Sequence, residues 1–196
     1  MKYIVTYILL FLLVLSLGCN DTGPIKGNLN RSGAARLLNE SKRLKETKVL
    51  TLHMNPPTSC ESITKDDPIR EMKSLNLVSY QNKNLTVGQG MFAMGMKNCI
   101  VELTEEGKRM SSGWKFTKAI NQFDIDKWEI PIAKKSLVEV TGIIGGDKEQ
   151  AQVEYTWKWV PNELGEKLNN LRPSLELQKG RAAFRKYDDG WRIVEN

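Results

Sequence analysis

The hydrophobic and polar positions of this 196-residue chain divide it into segments of different character. Residues 3–18 contain no charged side chain, and residues 8–15 are continuously apolar. Residues 32–127 mix helical spacing with short extended runs, whereas residues 128–196 show the alternation that is typical of antiparallel strands. The pattern predicts an apolar leader followed by an α+β body with a helix-rich, wing-like first half and a β second half.

Helix-start signals occur twice in the first half of the body. Ser32 is predicted to cap a first helix. Asp67 followed by Pro68 predicts the start of a second, because a capping side chain before a proline at the first helical position is favoured there. Residues 49–54 predict a strand, and residues 81–97 predict a long loop or hairpin tip.

The second half predicts an antiparallel sheet with a covering helix at residues 163–171. Apolar and polar residues alternate most clearly over residues 151–160, after a predicted strand at 137–144. Pro131 favours an edge position, because proline cannot donate a hydrogen bond to a sheet ladder. Asp188-Asp189-Gly190 is typical of a hairpin turn and predicts that the last two strands pair.

The first 18 residues have the composition of a signal peptide. Lys2 supplies a positive charge before the apolar run, and polar residues follow at 20–24. The run is shorter than the about 20 apolar residues that a transmembrane helix needs. A basic start, a short apolar run and small residues at its end predict a cleavable leader over residues 1–18.

The segment Leu15-Ser16-Leu17-Gly18-Cys19 resembles the lipobox of bacterial lipoproteins. The resemblance implies cleavage before Cys19, attachment of fatty-acid chains to that cysteine, and anchorage in a membrane of the cell envelope. Ser16 departs from the leucine that is preferred three residues before the cysteine. The alternatives are an ordinary secretory signal with an incidental cysteine and an anchor that is not cleaved.

Asn20 follows the predicted lipid attachment site. By the same resemblance, aspartate at this position favours the inner membrane, so asparagine favours the outer membrane and a body that faces the periplasm. Residues 19–31 are rich in Gly, Asn and Thr and are predicted to form a flexible lipidated tether. The body is then divided into residues 32–127 and 128–196.

Two cysteines, Cys60 and Cys99, remain once Cys19 is assigned to lipid. An even pair in an exported chain predicts a disulfide, with two separate buried thiols as the alternative. No metal site is predicted, because His53 is the only histidine and no CxxC spacing occurs. The sequence indicates no cofactor.

Two partial family resemblances concern shape. Residues 32–110 resemble a winged helix, in which a helix leads into residues 77–78 and a hairpin follows. The closing residues 187–193 resemble the last hairpin of nuclear-transport-factor-like (cystatin-like) lipoprotein domains. A nucleic-acid partner is not expected, because the chain is predicted to be exported and residues 68–76 lack the basic character of a recognition helix. The chain as a whole resembles lipoproteins without an assigned function.

Catalytic signatures are few. Ser62 and Lys65 fit the S-x-x-K pattern of penicillin-binding enzymes, but the accompanying S-D-N and K-T-G motifs are absent. His53 lies in an apolar strand pattern and is predicted to be structural, because a general base also needs a nucleophile and an orienting group. No catalytic residue is therefore predicted, and an envelope hydrolase remains only an alternative.

An aromatic stripe is the clearest candidate for binding. Tyr155, Trp157 and Trp159 share one face of a predicted strand, and Trp191 is expected nearby. Such rings most often form core, but they also bind sugar rings and apolar chains. The leading hypothesis is a non-catalytic envelope protein that binds or scaffolds another envelope protein or the cell wall. The alternative is a periplasmic ligand-binding module with an aromatic-lined cavity in the C-terminal sheet.

The net charge of +6 is spread along the chain without a block of like charges. This distribution favours a solvated surface. The alternative is attraction to an anionic membrane surface or to cell-wall polymers.

Overall fold

The computed structural model describes residues 24–56, 58–87, 94–120 and 124–195, and it confirms an α+β fold. The helices are α1 (Arg31–Glu40), α2 (Pro68–Ser74), α3 (Glu105–Met110) and α4 (Glu163–Lys167), and a 3₁₀ turn spans Cys60–Ser62. The strands are β1 (Thr47–His53), β2 (Val78–Val87), β3 (Met94–Leu103), β4 (Lys115–Thr117), β5 (Lys127–Ile144), β6 (Gln150–Pro161), β7 (Gln178–Tyr187) and β8 (Gly190–Ile193).

The main sheet is antiparallel and has six strands. Its order is β1-β5-β6-β7-β8, and β4 also pairs with β5. The longest strand, β5, has 18 residues. Its first half pairs with β1 on one side. On its other side it pairs first with β4, at residues 127–129, and then with β6, at residues 133–144. Strands β2 and β3 form a separate hairpin, so the predicted loop at 81–97 is largely strand in its described part.

Pro131 lies in this central strand, and its predicted edge position is wrong. Pro131 and the strand predicted at 137–144 belong to the same strand, β5, and the pairing with β1 shifts register where Ala133 and Pro131 face Lys48 and Val49. A proline is tolerated here because a bulge interrupts the ladder, and on the other side β4 has ended before β6 begins. The side-chain amide of Asn162 donates to the Pro131 carbonyl at 2.7 Å.

Helix α1 covers the C-terminal part of the sheet. Its cap is Asn30, whose side chain accepts a hydrogen bond from the Gly33 N–H at 2.8 Å, so the cap predicted at Ser32 was two residues late. Ala34 and Leu38 are completely buried on the inner face of the helix. The second predicted helix start is confirmed, with Asp67 as the cap and Pro68 in the first turn.

The buried apolar residues form two clusters, and β5 contributes to both. Ile130 and Ile132 belong to a first cluster with the β2–β3 hairpin, α2 and α4. Val140 belongs to a second cluster with α1, β6, β7 and β8. The core therefore does not divide at residue 127, because α1 packs with the C-terminal strands and α4 packs with the first cluster.

Residues 24–30, here called the N-terminal strap, pack along the end of the sheet. The backbone N–H of Trp191 donates to the Ile25 carbonyl at 3.1 Å, and its indole N–H donates to the Gly27 carbonyl at 2.9 Å. Leu29 is buried and donates its N–H to the Gly146 carbonyl at 2.9 Å. The described part of the predicted tether thus belongs to the folded body, because its backbone and apolar side chains have partners there.

Candidate functional site

Cys19, the predicted lipid attachment site, lies outside the described residues, as do residues 1–18. The first residue that the structure describes is Pro24, five positions after Cys19. A side-chain carbon on Gly190 would lie 3.1 Å from Pro24 Cβ, and Gly190 has a φ of +133°. The chain therefore enters the body beside the β7–β8 turn, where a glycine leaves room for it.

The predicted disulfide is present and joins the 3₁₀ turn to β3. The Sγ atoms of Cys60 and Cys99 are 2.13 Å apart and the Cα atoms 4.8 Å apart. Both residues are buried. The alternative of two separate buried thiols is therefore wrong.

Hydrogen bonds around the disulfide hold the same turn on the hairpin. The Cys60 N–H donates to the Asn82 side-chain oxygen at 2.8 Å, and the Asn82 amide donates to a Glu61 carboxylate oxygen at 2.6 Å. Hydrogen bonds from its own backbone N–H, from Ser59 and from Asn82 lower the pKa of the exposed Glu61 carboxyl. This cluster is structural, since each polar group holds the turn against β2.

The structure does not assemble the S-x-x-K pair. The Ser62 hydroxyl hydrogen-bonds with the Ser59 hydroxyl at 3.0 Å, and in the described part of the chain it has no hydrogen bond with Lys65. Lys65 is exposed. The pair lacks the contact through which a lysine would activate a serine.

His53 lies in β1 with its side chain exposed to solvent, and no hydrogen bond orients it among the described residues. It is therefore not the satisfied structural residue that the apolar strand pattern predicted. The alternation places Leu52 inward and His53 outward. Among the described residues, no group of three His, Cys, Asp or Glu side chains could hold a metal ion.

The aromatic stripe lies on one strand face as predicted, but its members differ in burial. Tyr155 and Trp191 are 6% and 2% exposed and belong to the second cluster. Trp157 and Trp159 are half-buried. Tyr155 covers Gly180, its partner on β7, so closely that a side-chain carbon there would lie 2.4 Å from the ring. Tyr155 and Trp191 are therefore core residues.

Trp157 and Trp159 contact each other and a lysine of the neighbouring strand. Their rings are 5.4 Å apart and nearly perpendicular. The Lys135 ammonium lies 4.4 Å from the Trp157 ring centre and 5.6 Å from that of Trp159, and it forms an ion pair with Glu46. The ammonium of Lys135 thus lies over the rings of Trp157 and Trp159, the position that a cationic ligand group would take. Lys135 could have been found from the sequence only by pairing the strands correctly, because it faces Trp159 in the β5–β6 ladder.

A cavity of about 660 Å³ lies beside this stripe without using either tryptophan. Its lining comprises Thr141, Glu154, Tyr155, Thr156, Lys179, Gly180 and Arg181. The buried hydroxyl of Thr156 has no hydrogen-bond partner among the described residues. The aromatic lining that the ligand-binding hypothesis predicted is limited here to Tyr155.

Thr156→Val is expected to raise the free energy of unfolding by about 1 kcal/mol, because a buried hydroxyl without a partner costs stability and valine has the same shape. Urea unfolding measures the change. Thr141→Val, at an exposed position, is the matched control and should have almost no effect. A loss of stability in the Thr156 variant would show that the hydroxyl does have a partner.

A second concave surface of about 730 Å³ lies on the outer face of β6 and β7 and is here called the cationic groove. Arg43, Lys148, Arg181 and Arg185 line it together with the exposed Ile144. None of the described lining residues is acidic. The groove is not apparent in the sequence, because its cations come from three separate segments. The alternation of Arg181 and Arg185 with the buried Ala182 and Phe184 is nevertheless a signal for an outward basic face.

Comparison with protein-family models, with curated proteins and with solved structures found no match. Within the described residues, none of the helices has the length and apolar character to cross a membrane.

Proposed function

We propose that this chain is a lipid-anchored protein of the bacterial cell envelope with a non-catalytic binding or scaffolding role. The observation that carries the proposal is the sequence of the first 19 residues, a short apolar leader that ends in Leu17-Gly18-Cys19. The Cys60–Cys99 disulfide supports it, because such bonds persist in oxidising compartments outside the cytoplasm. A non-catalytic role is supported by the Ser62 hydroxyl, which hydrogen-bonds with Ser59 and, among the described residues, not with Lys65.

The anchor is tested by growing a two-membrane bacterium that expresses the full chain with an alkyne-tagged fatty acid. Wild type is expected to carry the label, and Cys19→Ser is expected to lose it. The Cys60→Ala/Cys99→Ala variant controls for labelling at other cysteines and should keep the label. An unlabelled wild-type protein would refute lipidation. Asn20→Asp should move the labelled protein from the outer towards the inner membrane fraction.

The second candidate is a ligand-binding module of the envelope, which the cavity of about 660 Å³ favours, because the charged residues Glu154, Lys179 and Arg181 line it. Convergent polar groups in a concave site are typical of ligand pockets. A mixture of soluble cell-wall muropeptides is the probe, and the backbone amide signals of Thr156 and Gly180 are the readout. Signals that do not shift would remove this candidate.

A further inference from the structure

We propose that the cationic groove docks on the surface of an anionic phospholipid membrane, the membrane that holds the lipid on Cys19. This inference rests on the proposed function, because it needs the anchor. It goes further by assigning a particular face of the body to the membrane and a lipid class to that face.

The groove carries positive charge that is largely unpaired. Of its four cations, only Arg181 has an acidic partner among the described residues, Glu154 at 2.8 Å. Arg43 donates to the Arg181 carbonyl at 3.4 Å, and no carboxylate pairs with Arg43, Lys148 or Arg185 in the described part of the chain. Unneutralised basic side chains on one face are attracted to anionic lipid headgroups.

The groove also contains exposed apolar side chains. Ile144 is 62% exposed and Val194 is 37% exposed, and both line the groove together with the exposed Ala183 of β7. Cations beside exposed aliphatic side chains suit a membrane interface, where the charges meet phosphates and the apolar groups meet the upper acyl region. A soluble anion would use only the cations.

The lipid attachment site is close in the chain to the end of the body that carries the groove. Pro24 lies five positions after Cys19, so the attachment site lies within about 18 Å of the body even when that segment is fully extended. Pro24 contacts the β7–β8 turn, and Arg185 lies two residues before the end of β7. The anchor therefore limits how far this end of the body can move from the headgroups, whose field decays over about 8 Å at physiological salt.

Asp147 and Glu149 flank Lys148 in the chain, and Glu195, which pairs with Lys42, follows Val194, but none of the three is a lining residue of the groove. Asp189 pairs with Arg192 in the β7–β8 turn, so that arginine is not counted among the available cations. Asp188 is exposed at the turn and is not a lining residue of the groove. The net positive charge lies on the strand face and not at the turn.

The test uses the full mature protein, purified with its own anchor, in phosphatidylcholine vesicles with or without phosphatidylglycerol. The vesicles carry a photoactivatable headgroup lipid, and cross-linked peptides are mapped by mass spectrometry. We expect cross-links to concentrate on the groove residues at 144–152 and 181–185, more than on the β7–β8 turn, and to depend on phosphatidylglycerol. Lys148→Gln/Arg185→Gln should lower their yield about fivefold for each charge removed.

Lys65→Gln/Arg70→Gln is the matched control, because it removes two exposed cations from the part of the body built on the first cluster. This variant should keep the wild-type yield. Equal losses of cross-link yield in both variants would overturn the inference. Cross-links spread evenly over the protein surface would do the same, as would groove residues that soluble polyphosphate protects and vesicles do not. The mass of the Cys19 peptide from the same sample reports the anchor separately: an unacylated cysteine refutes the proposed function, whereas an acylated one with no groove cross-links refutes the docking face alone.

Discussion

Replacing Glu71 by alanine is expected to lower the free energy of unfolding by about 3 kcal/mol, because it removes the buried, charged acceptor of three backbone N–H groups. Glu71 lies in α2 and is 5% exposed. One carboxylate oxygen accepts hydrogen bonds from the N–H groups of Asn169 and Asn170, and the other accepts one from Leu171 at 3.1 Å. This single side chain therefore holds the segment after α4 on the first cluster.

Urea unfolding of the variant and wild type measures the effect. Glu105→Ala is the matched control, since Glu105 is an exposed carboxylate paired with Lys108 and exposed ion pairs of this kind contribute little to stability. Glu71→Gln is expected to fall between the two, because its single oxygen can satisfy only part of the donors. Equal stability of the Glu71→Ala and Glu105→Ala variants would contradict the role assigned to Glu71.

Loss of the Cys60–Cys99 disulfide is expected to lower the free energy of unfolding by about 4 kcal/mol, since the two cysteines are 39 residues apart and the bond restricts the unfolded chain. Equilibrium unfolding in urea with and without reductant measures it. The midpoint of wild type should fall in reductant, and the Cys60→Ala/Cys99→Ala variant should not respond. A wild-type unfolding curve that is the same with and without reductant, together with two free thiols in the protein, would contradict the bond.

Local features of the sequence predicted many of the elements. The alternation over residues 151–160 placed Val153 and Tyr155 on the inner face of β6, because side chains alternate between the faces of a strand. Asp67 and Pro68 marked the start of α2, since capping depends on neighbouring residues. The even pair of cysteines in an exported chain indicated the disulfide.

Partners distant in sequence could not be predicted. Glu71 contacts residues 98 to 100 positions away, and nothing near it in the sequence shows that those N–H groups lack other partners. Lys135 reaches the tryptophan rings only because β5 and β6 pair in one particular register. The strap was predicted as a tether because its polar composition does not reveal that Trp191 and Gly146 supply its hydrogen bonds.

By itself, the sequence of this protein determined the α+β class, the main strand alternation, the disulfide pair and the prediction of a lipid anchor at Cys19, because these depend on residue types and short spacings. Only the tertiary structure decided that β5 joins two clusters, that the strap belongs to the body and that four separate cations form one groove. Those features depend on strand pairing and packing between distant segments, where a bulge at Pro131 or a glycine at position 190 sets which surfaces meet.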